Sequence, residues 1–299
     1  MSVVGLESDR LRLAVDPEIG GSVVGFEARI GGAWLPILRP SLQPLARSSD
    51  ASSFTLAPYS NRVRDGVFRF EGRTFRLRHP EKHAIHGDVR DRPWRILRRS
   101  ADELALEIRS EDFADFNFPF ALRCEARFAL AGDTLAMSLR VVNTGPSRMP
   151  AGCGFHPYFR RALRAGENVE IGLRAAGVYP GATPLPDGPP VPIPATQDFS
   201  APRPLDVALD HCFSGWDGRA LLRWPESGVA LRVEASPSCS HVIVYSPPGE
   251  PFFAVEPVTN ANDGFNLLAA GQRETGVAVL DPGEGLDAAV ALRVEGAGD

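Results

Sequence analysis

Short alternating runs of apolar and polar residues, each cut off after a few positions by a glycine, proline or Asp/Asn turn, do most to limit the folds open to this chain. Leu11-Arg12-Leu13-Ala14-Val15 places an apolar side chain on every second residue, the period of a half-buried strand. Gly20-Gly21 interrupts the pattern and residues 22–28 resume it. Residues 67–70 and 73–77 flank Glu71-Gly72 as a hairpin, and residues 123–130 and 134–142 flank Gly132-Asp133 as a longer one. Further strands are expected at 221–224, 229–235, 241–246, 252–255, 276–280 and 288–294. Amphipathic helical stretches are scarce. Short strands with frequent turns imply a sandwich or barrel rather than alternating β/α units.

A chain of 299 residues is long enough for one large β domain or two ordinary ones. Between Tyr179 and Pro204 it is rich in proline and glycine. Such a stretch is a domain linker or a long loop laid over a sheet. Strands of the same style lie on both sides, which favours the loop and a single domain over residues 1–299. The formal net charge of −5 supplies no basic field for nucleic acid or an anionic membrane. Cys124, Cys153, Cys212 and Cys239 form no C-x-x-C pair and no metal-ligand spacing, as expected of free thiols in a reduced cytoplasm. No basic region followed by an apolar run opens the chain, and no stretch is long enough to span a bilayer.

Five places carry residues suited to chemistry. Asn61-Arg62 follows Pro58-Tyr59-Ser60, where Asn61 also suits a plain surface turn. His83 and His86 are three apart and Asp88 is close by, but on a strand side chains three apart face opposite sides, which argues against a shared metal. His156 stands in Ala151-Gly152-Cys153-Gly154-Phe155-His156-Pro157-Tyr158-Phe159. Pro157 biases the residue before it towards an extended backbone, so His156 suits both a core histidine at a strand end and a fixed catalytic imidazole. Asp210, in Leu209-Asp210-His211-Cys212-Phe213, suits a turn or cap as well as a ligand contact. Glu256 ends an apolar run and precedes Pro257, so it points either to solvent or into a cavity. Together these supply an imidazole, a carboxylate and several polar binders, the groups that acid–base chemistry on a small polar substrate requires.

In this order the five places resemble the aldose 1-epimerase (galactose mutarotase) family, from Leu11 to about Val294. The pattern N-R, H-G, H-P-Y-F, L-D-x-x-F, E-P is met by Asn61-Arg62, His86-Gly87, His156 to Phe159, Leu209-Asp210 with Phe213, and Glu256-Pro257. The resemblance implies a large antiparallel β-sandwich with its site in a cleft on a concave sheet. It implies His156 as general acid, Glu256 as general base, and Asn61, Arg62, His86 and Asp210 as substrate-binding residues. It implies a sugar as partner, a monomer or homodimer, and neither cofactor nor metal. Members specialised for galactose tend to carry a glutamine where Ile243 stands here, so the resemblance implies the reaction more firmly than it implies galactose.

On that basis the expected reaction opens and recloses a pyranose ring. Glu256 takes the C1 hydroxyl proton, His156 gives one to the ring oxygen, and rotation about C1–C2 precedes closure on the other face. A general acid must hold its proton, so a neighbouring carboxylate, Asp210 or Glu256, is expected to favour charged His156. A phosphosugar 1-epimerase would use the same pair with a basic pocket drawn from Arg62, Arg64, Arg160, Arg161 or Arg164. A non-catalytic sugar-binding module would not require both proton-transfer groups.

Overall fold

The computed structural model describes residues 3–42, 44–181 and 184–296. Nearly all regular structure is antiparallel strand, and the longest helix, Gly264–Ala269, has six residues. A nine-stranded sheet runs in the order Arg203–Pro204, Glu170–Leu173, Arg219–Trp224, Val229–Ala235, Gly285–Gly296, Thr134–Asn143, Leu122–Ala131, Glu103–Arg109, Arg95–Arg99. A seven-stranded sheet runs Gly177–Val178, Leu209–Ser214, His241–Ser246, Phe252–Val258, Gly154–Phe155, Thr55–Leu56, with Tyr158–Arg160 also pairing with Phe252–Val258. The expected β-sandwich is what forms. Val4–Glu7, Leu11–Asp16, Ser22–Ile30 and Ala33–Pro36 make a separate four-stranded sheet.

The core lies between the two large sheets, as alternation dictates. Leu122, Cys124, Ala126 and Phe128 of one sheet share an apolar cluster with Phe213, Val242, Val244, Phe253 and Val255 of the other. The opposite face of the nine-stranded sheet is polar, with Glu107 between Arg95, Arg109 and Arg123, and Arg232 paired to Glu295. The seven-stranded sheet differs. Its second face is also dry, and Phe54, Leu56, Tyr158, Cys212, Ile243, Ala254 and Val258 form a smaller cluster there. That second dry face is the floor of the cavity described below.

Most expected strands form with small shifts at their ends. The strand expected at 276–280 begins only at Ala278, because Gly276 takes a left-handed φ of +67° and packs against the Thr259 carbonyl. Glu103–Arg109, Ala33–Pro36, Arg95–Arg99 and Glu170–Leu173 were not anticipated. Glu103-Leu-Ala-Leu-Glu reads by propensity as helix, and burial between sheet neighbours overrides that preference. The proline-rich segment is a loop that packs on the body. Tyr179 Oη donates to the Glu274 carbonyl at 3.1 Å, Arg64 donates to the Pro186 carbonyl at 2.9 Å, and Val191 bridges to Val178.

Glycine is needed where strands cross most closely. A Cβ on Gly154 would lie 2.4 Å from the Pro257 carbonyl oxygen and 2.8 Å from Val258 Cγ1, whereas one on Gly5 would meet nothing within 4 Å. Gly154→Ala should therefore destabilise by about 1–3 kcal/mol. Gly5→Ala should stay within about 0.5 kcal/mol of the parent. Urea denaturation midpoints read both, and equal midpoints for the two variants would contradict the packing.

Candidate active site

Strand register assembles the site. Directly opposed residues of an antiparallel pair share a face. Asp210 opposes Tyr245, Tyr245 opposes Ala254, and Ala254 opposes Tyr158. One step along, Cys212 opposes Ile243 and Ile243 opposes Glu256. All these residues stand on the second dry face. Glu256 is thus not at a solvent-facing strand end but inside Phe252–Val258, 1% exposed. Asp210 is likewise mid-strand, not the turn or cap its neighbours suggested.

His156 reaches the same face by an interrupted ladder. Gly154 pairs with Val258 and Tyr158 with Ala254, in one register, while the ladder is interrupted between them. Counting inward from either end puts His156 opposite Glu256. Pro157 and Pro257 have no N–H to give in this gap, so the two strands part there. The His156 backbone N–H turns instead to the Phe54 carbonyl at 3.0 Å. Its Nε2 lies 3.2 Å from Glu256 Oε1. The ring stacks on Phe54 with centroids 4.6 Å apart and lies 4.4 Å from the Tyr158 ring.

His86 closes the site from a loop. His83, Ala84, His86 and Gly87 all have positive φ, so the strand geometry assumed for the two histidines does not apply. The loop separates them even so. His83 Nδ1 lies 3.3 Å from an Asp65 carboxylate oxygen near the surface, while His86 is buried with its ring 5.3 Å from that of His156. The His86 N–H donates to the Asn61 carbonyl at 2.6 Å, and Asn61 Oδ1 accepts from Arg62 Nη1 at 3.0 Å. Asn61 is at a turn, with φ of +52°, but it is a buried one.

All six expected residues, Asn61, Arg62, His86, Asp210, His156 and Glu256, line one cavity of about 980 Å³. Three buried polar atoms on this wall, His86 Nδ1, His156 Nδ1 and Glu256 Oε2, have no hydrogen-bond partner. Buried polar groups are normally paired, so three orphans around one cavity mark a place for a polar ligand. Of the five arginines considered for a phosphate, only Arg62 lines this cavity. Arg64 lies 3.5 Å from Asp263, and Arg160, Arg161 and Arg164 line a different depression with Leu163 and Pro251.

Burial decides the protonation states. It pushes His156 down to about 3, with the Arg39 charge adding to the effect. It raises Glu256 well above the usual carboxylate value, Asp210 adding repulsion and Arg62 opposing. The expectation of a charged His156 is therefore corrected: desolvation outweighs the neighbouring carboxylate and favours the neutral imidazole, as it favours the protonated form of Glu256. Burial also raises Asp210 and lowers His86.

With this geometry in hand, three comparisons bear on the chain. The family model for aldose 1-epimerase matches residues 12–293. The chain belongs to the aldose 1-epimerase family. Escherichia coli K12 YphB, an uncharacterized protein, is 29% identical over 316 aligned residues that cover 99% of both chains. The solved structure of a candidate aldose 1-epimerase from E. coli K12 is 28% identical, with a TM-score of 0.85 over 99% of both chains. An aldose epimerase homologue from C. elegans shares the fold at 15% identity, with a TM-score of 0.81 over 99% of both chains.

Several residues of this epimerase-family site were not singled out from sequence. Phe54 and Tyr158 both pack on His156, and Tyr245 stands opposite Asp210. The Arg39 guanidinium lies 3.5 Å from the Tyr158 ring centroid and donates to the Ser49 and Ala51 carbonyls. Tyr158 was visible within the H-P-Y-F run, and strand alternation counted from Asp210 and Glu256 would have found Tyr245 and Ala254. Nothing local marks Arg39 or Phe54. Ile243 is 1% exposed beside Glu256, so its place on the floor offers no polar contact.

The buried imidazoles have a measurable consequence. In the His156–Glu256 pair burial acts on both members, lowering the imidazole and raising the carboxyl. His241 stands apart from that pair. Burial pushes it down to about 4, while the unfolded imidazole binds its proton near pH 6.5. The unfolded state then takes up the extra proton, and stability falls as pH drops from about 6.5 towards 4. His241→Gln should flatten the pH dependence of unfolding free energy in that range by up to about 1.4 kcal/mol per pH unit. An unaltered slope in urea titrations would contradict a neutral His241.

Proposed function

We propose that the protein is an aldose 1-epimerase that interconverts the α and β anomers of an aldohexose, with His156 as general acid and Glu256 as general base. The observation that carries this reading is the buried His156 Nε2–Glu256 Oε1 contact of 3.2 Å on the wall of a ligand-sized cavity. Proton transfer between positioned groups is what ring opening requires, and each such group is typically worth about 10²–10⁴-fold.

The resting pair carries one proton, on Glu256. Moving it to His156 changes no net charge, so the step avoids bringing a charge in from water. A sugar favours that transfer. Its hydroxyls donate to the unpartnered Glu256 Oε2 and favour the carboxylate. Arg62 likewise favours the carboxylate of Glu256. Ionised Glu256 then accepts the C1 hydroxyl proton as protonated His156 donates to the ring oxygen. Electrons of the O–H bond form the C1=O bond, and those of the C1–O5 bond stay on O5 as the new hydroxyl. Rotation about C1–C2 presents the other carbonyl face, and the reverse transfers close the ring. Phe54 and Tyr158, packed on the imidazole, limit its reorientation. His86, Asn61, Arg62 and Asp210 hold the remaining hydroxyls in this reading.

Mutarotation of fresh α-D-glucose and α-D-galactose, followed by optical rotation, tests the proposal. Glu256→Gln and His156→Asn should each lower kcat by about 10²–10⁴-fold while circular dichroism shows a folded chain. A folded variant of either kind with full activity would overturn the assignment. Asp210→Asn should raise KM more than it lowers kcat, because hydroxyl binding is largely shared by ground and transition states. A pure kcat effect would place Asp210 among the proton-transfer groups.

A further inference from the structure

One buried carboxylate near the site serves neither the cavity nor its own helix. Asp263 is 4% exposed, does not line the cavity, and stands at the N-cap of Gly264–Ala269. An aspartate there ordinarily accepts from the first N–H groups of its helix, but this one caps none of them. It also keeps a left-handed φ of +55°, a conformation uncommon outside glycine. Its contacts go to the Asn61–Arg62 turn instead. Asp263 Oδ1 accepts from the Arg64 backbone N–H at 2.9 Å and from Asn266 Nδ2 at 2.8 Å. The Asp263 N–H donates to the Arg62 carbonyl at 2.7 Å. One residue thus grips the chain on both sides of the Arg62 peptide.

The neighbouring contacts complete a frame. The Ser60 N–H donates to Asn260 Oδ1 at 3.0 Å, and Ser60 Oγ donates to the Asn260 carbonyl at 2.9 Å. From the other side, the Val63 N–H donates to the His83 carbonyl at 2.8 Å. Asn260 and Asp263 follow directly on Phe252–Val258, the strand that carries Glu256. The segment that ends the Glu256 strand therefore also holds the backbone from which Arg62 extends. The half-buried Arg62 side chain is tied to Asn61 Oδ1 by a hydrogen bond at 3.0 Å. The place of so long a side chain is set by where its backbone stands, and a small misplacement near reacting groups is costly. Resting on the epimerase reading above, we infer that Asp263 is a positioning residue for the reaction: it fixes the Arg62 turn so that the guanidinium is held beside His156 and Glu256.

Arg62 disfavours a proton on Glu256 and on His156 alike. The pair also faces Asp210, Cys212, Tyr158 and Tyr245 from the sheet, and Arg39, His86 and Arg90 from outside it. Asp263 grips the turn of Arg62, so its loss should act through that cation. Asp263→Gly keeps the left-handed backbone and removes the carboxylate. Asp263→Asn keeps an acceptor for the Arg64 N–H. With glucose or galactose, both limbs of the pH profile of polarimetric kcat/KM should move to higher pH in D263G by about 0.5–1 unit, part of what an adjacent guanidinium is worth. D263N should keep the parent limbs. D263G added to Arg62→Ala should move the limbs no further than R62A alone. A residue that only holds the fold would lower the urea midpoint and leave the limbs in place.

The inference is overturned if a folded D263G keeps the parent limbs, if D263N moves them as far, or if D263G moves them equally in the R62A background. Should D263G not fold, Asn266→Ala, which removes a donor to the same carboxylate, should move the limbs the same way by less, and unmoved limbs overturn the inference. Carbon-13 NMR of the glutamate carboxyl groups, with Glu256 assigned by its loss in Glu256→Gln, separates this inference from the reaction. A Glu256 titration that rises in D263G while no sugar mutarotates keeps the positioning and overturns the epimerase. Mutarotation with limbs and titration unmoved overturns the positioning alone.

Discussion

One strand, Phe252–Val258, has to satisfy two dry environments at once, and the site follows from how it does so. Phe253 and Val255 fill the sandwich core, while Ala254 packs in the smaller cluster on the opposite face and Glu256 lines the cavity there. A carboxyl group placed there has no water to fall back on and must find partners within the protein or in a ligand. His156 supplies one partner from across a ladder that two prolines help to part. The buried acid and base are therefore not two separate placements. They are cross-strand neighbours whose hydrogen-bonding backbone has been withdrawn.

Small residues make room for this arrangement. Ala254 separates Tyr245 from Tyr158, so the sheet can carry two tyrosines with an open floor between them. Gly154 lets the neighbouring strand approach Pro257 closely, and Gly87, with φ of +72°, packs its backbone against the Ala57 carbonyl to bring His86 inward. Changing any one of these would move a polar residue of the cavity wall without touching it, so the proposed site depends on residues with no polar side chain.

Much of this was legible in the sequence. Period-two alternation found the long hairpin of the nine-stranded sheet and the strands Arg219–Trp224, Val229–Ala235, His241–Ser246 and Phe252–Val258, but not Glu103–Arg109, Arg95–Arg99, Glu170–Leu173 or Leu209–Ser214. The five polar places also converge as the family resemblance implied. What could not be read falls into two kinds. Asp210 and Glu256 look ambiguous locally, since a carboxylate in a strand faces either water or a cavity and only the neighbouring strands decide which. Phe54 and Arg39 look like ordinary core and surface residues, and their place against His156 and Tyr158 arises from pairing between segments about a hundred residues apart in sequence. Protonation was misread for a related reason: the sequence shows a carboxylate near an imidazole but not the loss of water around both.

That loss of water gives the arginines different tasks. Arg39 lies over Tyr158 with only backbone carbonyls and ring faces as close partners, and its charge helps hold His156 neutral. Arg62 acts on the other member of the pair, favouring ionised Glu256 and Asp210. Arg39, Arg90 and Arg62 thus all disfavour a proton on the imidazole, and Arg62 alone of the three also disfavours one on the carboxyl.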